Sequence, residues 1–339
     1  MTDPSPGVPP FNARLLRPDD APALVNAIRE SYGETYDCEW LYDEVEIARR
    51  IEDETMVSVG GFLDSGRIVA HYGVLLDGPD AKVGESGQAV VAPDFRGHKA
   101  FSILKKVLTE RFEELGFFGF YAEATAAHSY SQRAAIAGGA HETGFLLGYI
   151  PATVAYTDIK MDEAGRRQSV ALLWTTTNPL PARVVHLPER HHGIVERIYG
   201  NANISRTIDT TVIPLPNRPT RITIEDRPDH NEATIVIEEI GSDVIEALRW
   251  GIKVEADRGR EVAFVHIHIG DPMAAAIPDA IHDELGVFFG GVIPERRNGD
   301  VLVLQWIGNA DIDPSDIETA SDFGRELLEF VLAGRTPSE

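Results

Sequence analysis

The chain has 339 residues, with 54 acidic side chains against 31 basic ones and a formal charge of −23. Only six of the basic residues are lysine, so the composition does not supply the basic face that phosphate backbones require, and broad nucleic-acid binding is disfavoured. The single Cys38 excludes an intramolecular disulfide and a paired-cysteine metal motif; no apolar run is long enough to span a bilayer, and Met1-Thr2-Asp3-Pro4 does not read as a signal peptide. A cytoplasmic protein without a membrane segment is the expectation. The length suggests two domains, and 43% hydrophobic residues are ample for their cores. The acidic excess reads first as a solvated surface, and functionally as a field that draws in a cationic amine.

Along the chain, residues 1–10 read as a disordered Pro-rich tail. Asp19 or Asp20 is placed to cap a helix over Ala21–Ile28. Met56–Leu63 and Arg67–Leu76 flank Asp64-Ser65-Gly66 as a hairpin, with Val83–Val91 as a third strand. Phe118–Ala124 is a strand, and a helix after His128 leads through Gly139 to a strand ending in Phe145–Ile150. The charged stretch Ile159–Arg167 reads as a linker. Beyond it the pattern restarts with strands at Val170–Thr176 and Arg183–Leu187, then a helix over Glu189–Gly200 opened by Pro188. Strands follow at Thr220–Glu225 and Ala233–Ile240, and Ser242 or Asp243 is expected to cap a helix over Val244–Ala256. A strand at Glu261–Ile269, a helix at Ala275–Glu284 and a strand pair, Val287–Ile293 with Asp300–Ile307, complete the reading.

The most informative stretch runs Val90-Val91-Ala92-Pro93-Asp94-Phe95-Arg96-Gly97-His98-Lys99-Ala100-Phe101. An apolar strand ends, turns on a proline, presents Arg-Gly, and enters an amphipathic helix. Unpaired amides and the positive end of the helix dipole then meet at one spot, which suits an anion such as a pyrophosphate.

With the flanking strand Glu85–Val91 and the helix from Phe101, this stretch resembles motif A of the GNAT acyltransferase superfamily. Lys99 stands where that family usually has a second glycine, and Phe101 where many members have Gly or Ala. Ala13–Asp20 resembles the first strand and helix start of a GNAT domain. Tyr32-Gly33-Glu34-Thr35-Tyr36, Leu41-Tyr42-Asp43, and the run from His128-Ser129-Tyr130-Ser131-Gln132 to Phe145–Pro151 resemble one subgroup of large GNAT-like proteins. The resemblance covers roughly residues 11 to 156. It implies an α/β (α+β) fold with a mixed, mainly antiparallel sheet flanked by helices. It also implies acetyl-CoA, or another acyl-CoA, as cofactor, held by Val90, Val91, Ala92, Arg96, Gly97, His98, Lys99, Ala100 and Phe101. The family's oxyanion donor is a backbone N–H near the strand end, here around Val90 to Ala92.

Acyl transfer from a thioester to an amine needs alignment, removal of an ammonium proton and stabilisation of an oxyanion. Four side chains are candidates for the proton work. Glu85 lies on the motif strand, where it reads equally as a solvated residue. Glu123 sits among apolar neighbours, an environment that raises a carboxyl pKa toward that of a base. His128 stands where many GNAT proteins carry an asparagine near the cofactor, and reads equally as a helix-start cap. Tyr130 is a candidate acid, since the position that usually holds the family's tyrosine is Ala135. His266, His268 and Asp271 are too few and too loosely spaced for a metal site, and none is expected.

The second half echoes the first: Gly138–Pro151 (GGAHETGFLLGYIP) is similar to Leu285–Pro294 (LGVFFGGVIP). The expectation is two GNAT-like halves in tandem, 11–159 and 168–335. The second lacks a Pro-x-x-Arg-Gly loop, its turn Ile240-Gly241-Ser242-Asp243 placing an acid at the helix start. The function expected is acyl-CoA-dependent N-acylation of a small amine, with a homodimer an open option. The rivals are a catalytically silent acyl-CoA sensor or scaffold, and acyl transfer from another donor such as aminoacyl-tRNA.

Overall fold

The computed structural model describes residues 10–34, 38–78, 80–96, 98–152, 166–277 and 279–335. The tail read over 1–10, except Pro10, lies outside these residues, as do Gly97, Thr35, Tyr36 and the linker stretch except Arg166 and Arg167. The chain forms two compact units. One holds the described residues up to Ala122 and Thr176–Pro179; the other holds those between Glu123 and Thr175 and from Leu180 onward. Among the described residues the units part between Ala122 and Glu123, between Thr175 and Thr176, and between Pro179 and Leu180.

The first unit contains β1 (Asn12–Leu15), α1 (Ala21–Tyr32), α2 (Glu44–Glu52), β2 (Met56–Phe62), β3 (Ile68–Leu76), β4 (Val83–Val91), α3 (Ala100–Glu114) and the start of β5 (Gly119–Thr125). Its sheet runs β1-β2-β3-β4-β5, antiparallel as far as β4. The β4–β5 pair is parallel, which demands a crossover, and α3 supplies it. Leu24, Ile28, Leu41 and Ile47, on α1, on α2 and between them, pack on one face against Met56, Ile68 and Val90. On the other face Leu104, Leu108 and Phe112 of α3 meet Val59, Tyr72 and Val74. Burial on both faces is why β3 reads as an apolar run interrupted only by His71 and Gly73 rather than as an alternating strand. The expected cap of α1 is corrected: Asp20 sits at the N-cap without a side-chain cap bond, because its carboxylate is held by the Arg14 guanidinium and the Arg17 N–H.

The second unit contains α4 (Tyr130–Ala137), β6 (Ala140–Ile150), β7 (Gln168–Thr176), β8 (Arg183–His186), α5 (Glu189–Asn201), β9 (Arg206–Asp209), β10 (Arg221–Arg227) and β11 (Glu232–Glu239). It continues with α6 (Val244–Asp257), β12 (Val262–His268), α7 (Ala280–Leu285), β13 (Phe288–Ile293), β14 (Val301–Ile307) and α8 (Asp322–Ala333). Its main sheet is ordered β7-β6-β13-β14-β12-β11-β10, and β8 and β9 form a separate parallel pair. Each main sheet is thus mixed and mainly antiparallel.

The order β3-β4-α3-β5-α4-β6-β7 recurs as β10-β11-α6-β12-α7-β13-β14. In both runs the first two strands are antiparallel, the crossover pair is parallel, and the last two strands are antiparallel. The counterpart strands β6 and β13, the segments that echo each other in sequence, pair with one another, Gly144 opposite Gly291. Gln305 of β14 is fully buried and bonds both strands: its Oε1 accepts from the Leu147 N–H, and its Nε2 donates to the Phe145 and Phe289 carbonyls. Two readings change. Gln168–Thr176 pairs with β6 and closes the first run rather than opening the second. Asp243 does not cap α6 through its side chain, which accepts instead from the Thr220 N–H.

Candidate active site

The motif strand leaves its neighbour where the chemistry needs space. β4 pairs with β5 from Val83/Gly119 to Ser86/Ala122, then runs on through Gly87–Val91 beyond that register. On its other edge a bulge sets Gln88 and Ala89 against Tyr72 alone, and Gln88 adopts φ 50°. A left-handed non-glycine residue is costly and persists only where its surroundings impose it. Such a bulge re-aims the strand end that follows.

The amides after the bulge divide by edge. The Ala92 N–H donates to the Val69 carbonyl at 2.9 Å, which removes Ala92 from the expected oxyanion donors. Successive amides of a strand point to opposite edges, so the Val91 N–H is directed away from β3. The Val91 carbonyl accepts from Nε of Arg96 at 3.3 Å, which folds the start of the loop back on the strand end. Lys99 is the N-cap of α3, with φ 60° and ψ 14° and no side-chain cap, so the first-turn amides are left for another acceptor. The backbone here is left-handed, and the lysine Cβ bears the strain. Arg96 and Lys99 are exposed, and His98 is half-buried. Ala100 is buried, so only its backbone can serve a ligand, while the Phe101 ring packs edge-on against Tyr72 at 4.8 Å and belongs to the core. Gly97 is outside the described residues.

The counterpart in the second unit is filled. Strands β11 and β12 stay paired through Ile237/Ile267, close to the end of β11. The Ser242 N–H ahead of α6 donates to the Pro216 and Arg218 carbonyls, and the Gly241 N–H donates to Thr220 Oγ1. A Cβ on Gly241 would lie 2.1 Å from the Arg218 carbonyl oxygen. The chain's own segment 216–220 therefore occupies the amides that a phosphate would need.

The four proton-transfer candidates separate into two groups. Glu85 is half-buried in the first unit, cross-strand from Leu75, and Tyr121 donates its hydroxyl to Oε2 at 3.4 Å. Glu123, His128 and Tyr130 belong to the second unit. The Glu123 carboxylate accepts from the Tyr149 hydroxyl at 2.9 Å, and that oxygen accepts from Arg227 at 3.0 Å. His128 has a buried Nδ1 that finds no acceptor or donor among the described residues, and its ring lies 5.4 Å from that of Tyr130. Tyr130 itself is 71% exposed, under the Arg133 guanidinium. The cap of α4 is Ser129, not His128. The Ser129 N–H and hydroxyl both donate to Glu318, and Gln132 donates to the Glu318 and Thr125 carbonyls, so much of this segment is committed to holding the loop before α8.

Residues beneath the bulge went unnoticed in the sequence. His71 is fully buried, and its Nδ1 lies 2.7 Å from the Gln88 carbonyl. A carbonyl only accepts, so Nδ1 carries the proton and Nε2 is a lone pair. That Nε2, Ser58 Oγ and Gln88 Oε1 have no hydrogen-bond partner among the described residues. They gather around Gly73: a Cβ there would lie 2.9 Å from Ser58 Oγ, 3.1 Å from Gln88 Oε1 and 3.3 Å from the His71 ring. The only sequence signal was a histidine inside an apolar strand. Burial pushes the His71 pKa down to about 4. The folded state thus binds fewer protons than the unfolded one between about pH 6.5 and 4. Stability contributed by neutral His71 is full above pH 6.5 and is lost as pH falls through 4. Urea unfolding across this range should show that decline, and His71→Gln should remove its part of it. An unchanged pH dependence in the variant would contradict the assignment. A second missed group is Lys105, buried on α3 near the Phe120 ring, its pKa pushed down to about 8 by burial.

Among the described residues no group of three or more His, Cys, Asp or Glu side chains is placed to hold a metal, and no helix is long and apolar enough to cross a membrane. No family model matches the chain, and no curated protein matches it. Solved structures similar to it include a chimeric spermidine N-acetyltransferase from Vibrio cholerae, at 17% identity and TM-score 0.36, covering 50% of this chain and 97% of that one. A GNAT superfamily phosphinothricin acetyltransferase from Sinorhizobium meliloti, in complex with acetyl-CoA, matches at 19% identity and TM-score 0.38, covering 49% and 88%. A ribosomal-protein-alanine N-acetyltransferase from Brucella melitensis matches at 17% and 0.38, covering 49% and 99%. At these identities and scores the likeness says nothing of activity. What the chain resembles, over about half its length, is the GNAT acetyltransferases.

Proposed function

We propose that the chain is an acyl-CoA-dependent N-acyltransferase, with acetyl-CoA the first donor to consider and a small amine the acceptor. The observation that carries this reading is the joint geometry of β4: its pairing with β5 ends after Ser86, it bulges at Gln88, and it leads into a helix whose N-cap makes no side-chain cap bond. Acyl-CoA, when bound, supplies the activated thioester. The first-turn amides of α3, the Arg96 and Lys99 cations and the His98 ring form a donor set that fits a pyrophosphate. The Val91 N–H, aimed away from β3, is the amide suited to a developing oxyanion. Glu85, kept in place by the Tyr121 hydroxyl, is the base in the same unit; Glu123 is the second candidate, and Glu85→Gln and Glu123→Gln separate them.

The test is calorimetric titration of the full chain with acetyl-CoA at low and high salt. Saturable binding is expected, weakened at least about tenfold by Arg96→Glu, because charge-assisted contacts are worth about 1.5–3 kcal/mol. No binding to the wild-type chain would overturn the proposal. The exposed Tyr130, with Ala135 at the usual tyrosine position, favours a second reading as a silent acyl-CoA sensor. Thiol release during an amine screen distinguishes the two, since a sensor binds acetyl-CoA without releasing CoA.

A further inference from the structure

The second unit has an open cavity of about 310 Å³ bounded by the start of α5, α7, β13, β14 and α8. That is about ten water molecules' worth of space and falls in the range of small-ligand sites. Ile267, Ile281, Phe288, Leu302, Leu304 and Phe330 make most of it apolar. One wall is a row of rings, His191 tilted against Phe289 at 5.4 Å and Phe289 edge-on to Phe330 at 5.4 Å.

The polar groups gather around that row. His191 is only 8% exposed, lines the cavity, and has an Nδ1 without a partner among the described residues. A buried polar atom with no partner is costly, and a phenyl ring would pack there without that cost. His282 also lines the cavity, with Nδ1 3.3 Å from the Val287 carbonyl. Arg190 completes the set; its Nε is 3.4 Å from Asp279, a carboxylate 63% exposed and therefore strongly hydrated. Burial, with the nearby Arg190 guanidinium as a smaller cause, pushes the His191 pKa down to about 3. His191 is therefore a neutral imidazole beside the Arg190–Asp279 pair, whose carboxylate also lines the cavity.

We propose that this cavity binds a small hydrophobic carboxylate, its apolar body against Ile281, Phe288 and Phe330 and its carboxylate between Arg190 and the N–H of His191. The complementarity is twofold: an apolar chamber for the body, and a guanidinium and an imidazole donor at one end for the anion. The site lies wholly in the second unit and does not rest on the acyl-CoA reading.

Hexanoate and phenylacetate are the probes, with hexanol and hexylamine as controls, in thermal unfolding and titration calorimetry of the full chain. The carboxylates should raise the unfolding midpoint and titrate saturably, unaffected by saturating CoA. Arg190→Gln, at the solvated rim where folding is not at stake, should weaken binding at least about fivefold, and His191→Phe, which keeps the row of rings, should do the same. The proposal is overturned if the alcohol and the amine bind as well as hexanoate, or if both variants bind like the wild type. It fails equally if no carboxylate shifts the midpoint at ~10 mM, ten times a millimolar Kd.

Discussion

Replacing Gly144 or Gly291 by alanine is expected to cost about 3 kcal/mol or more of stability. The two glycines face each other where β6 crosses to β13. A Cβ on Gly144 would lie 2.3 Å from the Gly290 carbonyl oxygen and 2.6 Å from the Gly291 Cα. From the other side, a Cβ on Gly291 would lie 2.7 Å from both the Gly144 Cα and the Thr143 carbonyl oxygen. Overpacking a core costs about 1–3 kcal/mol when side chains can rotate away. Here the obstacles are backbone atoms, so relief requires parting the strands, which also pulls apart the three hydrogen bonds of Gln305. Gly193, on α5, has nothing within 4 Å of an added Cβ. Its change to alanine should stabilise by about 0.5–1 kcal/mol through helix propensity alone. Urea denaturation of the three variants checks the contrast, and losses below about 1 kcal/mol at Gly144 and Gly291 would mean the strands do not approach this closely.

Arg206→Met is the second large effect expected, a loss of about 3–5 kcal/mol. The Arg206, Glu295 and Asp300 side chains are all fully buried. Arg206 donates to Glu295 at 2.8 Å and grips Asp300 through two nitrogens at 2.8 and 2.9 Å. Tyr199 donates its hydroxyl to Asp300 at 2.6 Å, and the Glu295 N–H donates to the same carboxylate at 3.0 Å. Methionine fills much of the volume but leaves two buried carboxylates with Arg183 as the remaining cation on Glu295. The cost is the stranded charge rather than the lost attraction. Arg206→Lys keeps the charge without the planar fork and should fall between wild type and Arg206→Met. The exposed Arg49–Glu46 pair provides the comparison: Arg49→Ala should cost at most about 1 kcal/mol. Equal losses for Arg49→Ala and Arg206→Met would contradict this account.

Local chemistry made a good part of the molecule readable in one dimension. Alternation and turn residues placed β2, β3 and β4 nearly to the residue, because strand pattern and turn chemistry act over a few positions. The motif loop and α3 were legible for the same reason, as was the echo between the segments that became β6 and β13. Other elements were missed. No signal marked α2 or β9, the partner of the expected strand β8, and α8 has an amphipathic face that only acquires meaning against β6 and β13. Both expected acidic caps failed, at Asp20 and Asp243, because a distant donor outcompeted the local helix amide.

The candidate site follows the same division. Sequence alone determined that an apolar strand ends in a loop rich in cations and enters a helix, since those preferences are written in neighbouring residues. Only the tertiary structure decided that β4 carries a bulge at Gln88, that β5 leaves it after Ser86, and that His71, Ser58 and Gln88 converge on Gly73. It also decided that the second helix start is filled by segment 216–220, and that Arg206 is buried between two acids. Register, burial and the choice of hydrogen-bond partner depend on residues far apart in the chain, and their free energies exist only once packing has removed water from between them.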